Sequence, residues 1–217
     1  DAEIGDAARA IWRMTPGGSQ LTALNLGGGT QWTTSRPLRY YLDKYHHFDA
    51  SGGSLGMDDT YGNRVNAFRK HIERHLESRG WCRTHFHSIG EGLSSSEANF
   101  LAAMDIVKQH EASLWIAGMA DIYKYQVENS TASLSLVEST HHRLVFALSC
   151  RTDPELYDQL LTMEISLPPS WQADRTRMRD SHGEVVELKR ISQSVLRCEV
   201  APCTAVYTIE LRQVTQD

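Results

Sequence analysis

Apolar positions recur at helical spacing in several stretches of the first 130 residues. In residues 2–14 (AEIGDAARAIWRM) Ile4, Ala7, Ala8 and Ile11 share one face, which predicts a helix ended by Pro16-Gly17-Gly18. Residues 36–48 predict a second, with Pro37 suited to its first turn. In residues 63–79 Val65, Phe68, Ile72, His75 and Leu76 line one side of a third. Ser94 and Glu97 have the spacing of a capping box, directly before the apolar face of Phe100, Ala103, Met104 and Val107. Residues 119–129 repeat the pattern with Ile122, Tyr123 and Val127. Short apolar runs stand between these helices, at Leu21–Leu26, Trp81–His87 and Leu114–Ala117, and read as strands. Strands alternating with helices predict an α/β class with a parallel layer. Asp49 to Gly62 (DASGGSLGMDDTYG) reads as one long loop, a feature that compact domains reserve for function or motion.

The period changes near Thr131. Leu134–Val137, Leu144–Leu148, Leu161–Leu167, Val195–Val200 and Ala205–Leu211 alternate with period two. Asp153-Pro154, Pro168-Pro169, His182-Gly183 and Pro202 supply turns between them. That predicts a small antiparallel β-sandwich over residues 131–217, after an α/β domain over residues 1–130.

Composition narrows the function. With 217 residues, 41% of them apolar, the chain buries a core without metal or disulfide staples. A net charge of −5 argues against non-specific nucleic-acid binding, which needs a basic surface. No apolar run approaches the roughly 18 residues of a membrane span. The opening residues, DAEIGDAARAIW, lack the basic start and apolar centre of a signal peptide. The absence of an initial Met leaves a processed product, a trimmed chain and a fragment all open. Cys82, Cys150, Cys198 and Cys203 form no C-x-x-C pair, which argues against a zinc site of that type. Cys198 and Cys203 flank a turn at Ala201-Pro202, and a bridge between them and two free thiols stand as alternatives.

Trp81, then Phe86-His87-Ser88-Ile89-Gly90, then a capped helix, then Leu114-Trp115-Ile116-Ala117, then a helix carrying Lys124-Tyr125 follow in order. This stretch resembles the closing part of the polysaccharide deacetylase domain, carbohydrate esterase family 4. Residues 153–171 (DPELYDQLLTMEISLPPSW) resemble the β domain often appended to such enzymes. The resemblance implies a partial (β/α) barrel of the polysaccharide deacetylase type followed by the sandwich. It implies a secreted or periplasmic hydrolase removing acetyl groups from a polysaccharide or oligosaccharide, with a divalent, zinc-like metal. It gives His87 the role of general acid. The family's Thr-Phe-Asp-Asp and His-x-x-x-His motifs have no counterpart at a matching place, so the implied barrel lacks its opening strands and its metal ligands. A missing N-terminal segment or a second copy of the chain would then supply what is absent.

Other residues carry chemistry of their own. A strand-end His87 suits proton transfer near neutral pH, or simply hydrogen-bonds a loop carbonyl. His85 lies two residues earlier on the same strand face, and the pair is either a metal-ligand pair or one ring packed inside. Asp58-Asp59 supplies a base, or caps the following helix. Asn25, Gly28 and Thr30 sit at a glycine-rich strand end open to a ligand. Trp32, Tyr61 and Trp81 offer faces for sugar rings, or ordinary packing. His46-His47 and His141-His142 read as surface residues. The competing expectations are a deacetylase-like enzyme using His87 with Asp58 or Asp59, and a non-catalytic carbohydrate-binding protein.

Overall fold

The computed structural model describes residues 1–15, 18–27, 32–90 and 92–211. The fold mixes helix and sheet, as the alternating patterns require. Five helices stand in chain order: α1 (Ala2–Met14), α2 (Leu38–Lys44), α3 (Arg64–Ser78), α4 (Glu97–Gln109) and α5 (Met119–Thr131). The strands are β1 (Thr22–Leu24), β2 (His47–Asp49), β3 (Leu55–Gly56), β4 (Thr84–His85), β5 (Ser133–Ser139), β6 (Arg143–Ser149), β7 (Leu161–Ser166), β8 (Thr176–Arg179), β9 (Val185–Val186), β10 (Lys189–Arg190), β11 (Val195–Val200) and β12 (Ala205–Leu211). Among the described residues no helix is long and apolar enough to cross a membrane.

Two compact units cut across chain order. The first holds α1, β1, α2, α5 and β5–β12; the second holds β3, α3, β4 and α4. This division differs from a boundary at residue 130, because the helices at both ends of the first 130 residues join the β-rich part.

In the first unit, residues 133–211 form two antiparallel sheets, ordered β5-β6-β12-β8-β9 and β10-β11-β7. Their inward positions meet in one core: Leu144, Leu148, Met178, Tyr207 and Ile209 from one sheet, Leu161, Met163, Ile165, Leu196 and Val200 from the other. The period-two runs found the five longest strands. The three strands they left out, β8, β9 and β10, span at most four residues, too few for alternation to register. Strand β5 is a sheet edge, and its pairing with β6 slips between Leu136 and Glu138, which leaves Val137 as an extra residue. Leu134, Leu136 and Val137 on this edge are exposed. Cys198 and Cys203 are free thiols, the first buried beside Met178 Sδ and the second exposed, so the bridge left open above is not formed.

The same unit corrects the predicted helix over residues 36–48. The helix stops at Lys44, His46 takes a positive φ of 50°, and residues 47–49 turn into strand. Phe48 then stacks on Tyr123 of α5, ring centroids 4.1 Å apart. His47 is buried rather than at the surface: its Nδ1 lies 2.6 Å from Thr22 Oγ1, and burial lowers its pKa.

In the second unit α3 and α4 pack over β3 and β4 around Met57, Phe68, Ile72, Ala103 and Ile106. β3 and β4 pair in parallel, Leu55 with Thr84 and Gly56 with His85. β4 falls within a predicted strand, but its parallel partner β3 lies in the stretch read as a loop, and among the described residues this unit holds one two-stranded sheet rather than a ring of strands. The predicted strand at Leu114–Ala117 is absent: residues 114–118 are irregular, and Trp115 and Ile116 are exposed. An apolar run with no ladder partner cannot satisfy its main-chain groups as a strand.

Candidate functional site

The chemistry gathers at the carboxyl ends of β3 and β4, where open parallel sheets place ligands. Two residues beyond the last residue of each strand lie Asp58 and His87, so parallel pairing brings them side by side. The strand β3 hides in the glycine-rich loop, and its two residues are what carry Asp58 into place. Gly56 leaves room for its neighbours there: a Cβ at this position would stand 2.9 Å from Tyr61 Cε2 and 3.1 Å from His85 Nε2, and one of the two rings would have to shift.

Asp58 is fully buried, and both its oxygens serve His87. Oδ2 lies 2.6 Å from the ring Nδ1, and Oδ1 accepts the His87 main-chain N–H at 3.3 Å. Burial pushes the Asp58 carboxyl up, but the hydrogen bonds from His87 outweigh it and leave the pKa below the usual carboxylate range. A carboxylate in that position accepts a hydrogen bond from Nδ1–H, which leaves Nε2 as the nitrogen with a lone pair. The His87 side chain is 50% exposed, so it can reach a ligand while Asp58 cannot.

His85 stands next to this pair, its ring 5.6 Å from that of His87 and nearly perpendicular to it. Ser54 Oγ lies 2.8 Å from His85 Nδ1. Nothing in a Gly-Ser loop marks Ser54 in advance. The donors here do not fit the metal that the resemblance implies. Among the described residues Asp58, His85 and His87 do not form a set of three ligand atoms all within 4.8 Å of one another.

Asp59 faces elsewhere. Its Oδ2 accepts from Ser96 N at 3.1 Å and its Oδ1 from Asn99 Nδ2 at 2.8 Å, and these bonds lower its pKa. It caps α4, not the helix that follows it in sequence. The N-cap of α4 is Ser96, whose Oγ accepts from Asn99 N, so the Ser94–Glu97 box is displaced by two residues. Ser94 is buried instead, its carbonyl accepting from Asp59 N at 2.9 Å. Ser96→Ala is expected to cost about 1 kcal/mol. In a thermal melt that is a fall in Tm of about 2–4 °C, and an unchanged Tm would remove Ser96 from the cap.

The remaining site residues divide. Tyr61 is half-exposed and joins His85 over Gly56. Trp81 lies under the Arg83 guanidinium, 4.7 Å from its ring centroid, while Arg83 also donates to the carbonyls of Ala50 and Gly52. Asn25 is exposed in the same unit. Trp32 belongs to the other unit, where its ring meets Tyr41 edge-on and its Nε1–H donates to Arg36 O at 2.6 Å. That partnership is packing. Gly28 and Thr30 lie outside the described residues.

A gellan lyase from Bacillus sp. is 24% identical to this chain over 101 residues, 43% of this chain and 4% of that protein. The chain thus spans about 4% of the length of the relative it matches. No protein-family model matches the chain, and no solved structure does.

Proposed function

We propose that this protein acts on a polysaccharide and that Asp58 and His87 are its proton-transfer pair. One observation carries the reading: a buried carboxylate holds Nδ1 of a half-exposed imidazole at the ends of two parallel strands. Its likeness to a protein named for gellan supports a polysaccharide as the ligand. In the finer form of the proposal the reaction is removal of an acetyl group from the glycan, as the deacetylase resemblance implies. Nε2 of His87 takes a proton from the attacking water. It then returns that proton to the departing sugar oxygen or nitrogen as the tetrahedral intermediate collapses. Asp58 is a positioning residue in this scheme, fixing the ring and stabilising its charged form. Asp59 has no place in it. Half-exposed Tyr61, beside His85 over Gly56, offers an aromatic face for a sugar ring.

A second reading has a specific observation in its favour. The matched region of the gellan lyase is 4% of that protein, the proportion of a single module, which favours a glycan-binding part without its own catalysis. One experiment separates the two. Gellan, acetylated chitin oligomers and acetylated xylan oligomers are incubated with the full chain, and acetate, new chain ends and bound glycan are measured. Acetate release supports the finer reading, and chain cleavage supports the coarser one with an elimination or hydrolysis in place of deacetylation. Binding alone supports the module. No product and no binding with any of the three glycans would sink the carbohydrate assignment.

A further inference from the structure

A second cluster lies in the α3–β4 unit, apart from the Asp58–His87 pair. His71 and His75 are one helical turn apart on α3, and Cys82 lies in the segment that leads from α3 into β4. Residues at i and i+4 share a helix face, and the two rings sit with centroids 4.3 Å apart. One ring nitrogen from each histidine and the Cys82 sulfur all lie within 4.8 Å of one another. A tetrahedral zinc, with bonds of about 2.0–2.1 Å to nitrogen and about 2.3 Å to sulfur, needs its donors roughly 3.3–3.7 Å apart. About 1 Å of side-chain rotation closes the difference.

We propose that His71, His75 and Cys82 form a zinc site. Two imidazoles and a thiolate are a donor set suited to Zn²⁺. Each histidine already has one nitrogen anchored on a main-chain carbonyl: His75 Nδ1 donates to His71 O at 2.7 Å, and His71 Nε2 to Arg83 O at 3.1 Å. Anchoring one ring nitrogen as a donor is how proteins fix the tautomer and aim the other nitrogen at a metal. His71 is buried, while His75 and Cys82 are partly exposed, which gives the ion a path in. Cys82 would ligate as its thiolate and the histidines as neutral imidazoles, so binding releases the thiol proton to solvent. Three protein ligands leave the fourth position for water. One neighbour opposes the site: the exposed Arg74 donates to His71 Nδ1 at 2.9 Å and has to swing away. Loading would tie the end of α3 to the segment that enters β4, the strand leading to His85 and His87.

The test uses the full chain stripped with a chelator and titrated with Co²⁺ alone, then with Zn²⁺ as competitor. One equivalent of Co²⁺ is expected, with a sulfur-to-metal charge-transfer band that Zn²⁺ abolishes. Cys82→Ser should lose the band and Cys203→Ser should keep it. His75→Ala should weaken binding by about 100-fold or more, beyond the 10–100-fold typical of an outer-shell partner, and Arg74→Ala should tighten it. No band in the wild-type chain, or a band that survives Cys82→Ser, overturns the site. Should a variant not fold, alkylation of the wild-type chain with and without Zn²⁺ decides: Cys82 shielded by zinc supports the site, and Cys82 labelled equally in both refutes it.

Discussion

Replacing His87 by alanine is expected to lower the kcat/KM of the proposed polysaccharide reaction by about 10²–10⁴-fold, the contribution of one general acid–base group. Asp58→Asn is expected to do comparable damage by another route. Oδ1 of Asp58 accepts the His87 main-chain N–H, so an asparagine there keeps its oxygen on that side and turns its NH₂ toward the ring. A donor facing Nδ1 forces the ring proton onto Nε2, and the proton-accepting nitrogen is lost. ¹⁵N chemical shifts of the His87 ring should report the exchange of tautomers directly, with or without a substrate in hand. The double variant Asp58→Asn/His87→Ala should be no slower than His87→Ala alone, because residues that act as one unit do not add. Full activity in Asp58→Asn, with the proton still on Nδ1, would dissolve the pair as a functional unit.

The second large effect concerns stability and sits in the other compact unit. Glu128 of α5 is fully buried. Its Oε1 accepts Gln159 N at 3.1 Å, while Oε2 has no hydrogen-bond partner among the described residues. Burial raises its pKa from the ordinary 4.5 to about 7; Asp158 pushes the same way, and the Gln159 amide and Lys124 pull against it. Between these values the folded chain holds a proton that the unfolded chain has released. Stability from this group is therefore fully present below pH 4.5, falls as pH rises, and is lost above about pH 7. The loss is about 3 kcal/mol at 1.36 kcal/mol per pKa unit. Glu128→Gln removes the titration while keeping an oxygen for Gln159 N–H. Urea unfolding should find the variant more stable than the wild type by about that amount at pH 8 and close to it at pH 4.5. An equal difference at both pH values would rule out the buried carboxyl as the cause.

How much of this was legible in the sequence depended on length. Helices α1, α3 and α5 and the long strands β5, β6, β7, β11 and β12 declared themselves, because a period of 3.6 or 2 needs several repeats to emerge. Strand β3 is two residues long and wrapped in glycine and serine, so no period exists to find. That short strand decides the site. Read as loop, it leaves Asp58 without a scaffold; paired with β4, it delivers Asp58 to His87. Leu55 and Met57, alternating across Gly56 immediately before the two aspartates, were the available signal. His87 itself was readable, since it follows an apolar run and precedes a glycine turn. The separate fates of Asp58 and Asp59 were not, because adjacent side chains diverge according to backbone geometry that spacing does not encode. The zinc cluster was half visible: His71 and His75 show helical spacing, but Cys82 reaches them only through the turn after α3.

The slip at Val137 has a consequence for how copies of this protein behave together. A foreign strand laid along β5 would find the main-chain donors and acceptors in step only as far as Leu136. Beyond that point one surplus residue throws the ladder out of phase and swaps which side chains face each way. Leu134, Leu136 and Val137 can thus lie at a rim without offering a regular template, and growth of ordered fibrils by edge-on stacking is frustrated at its first step.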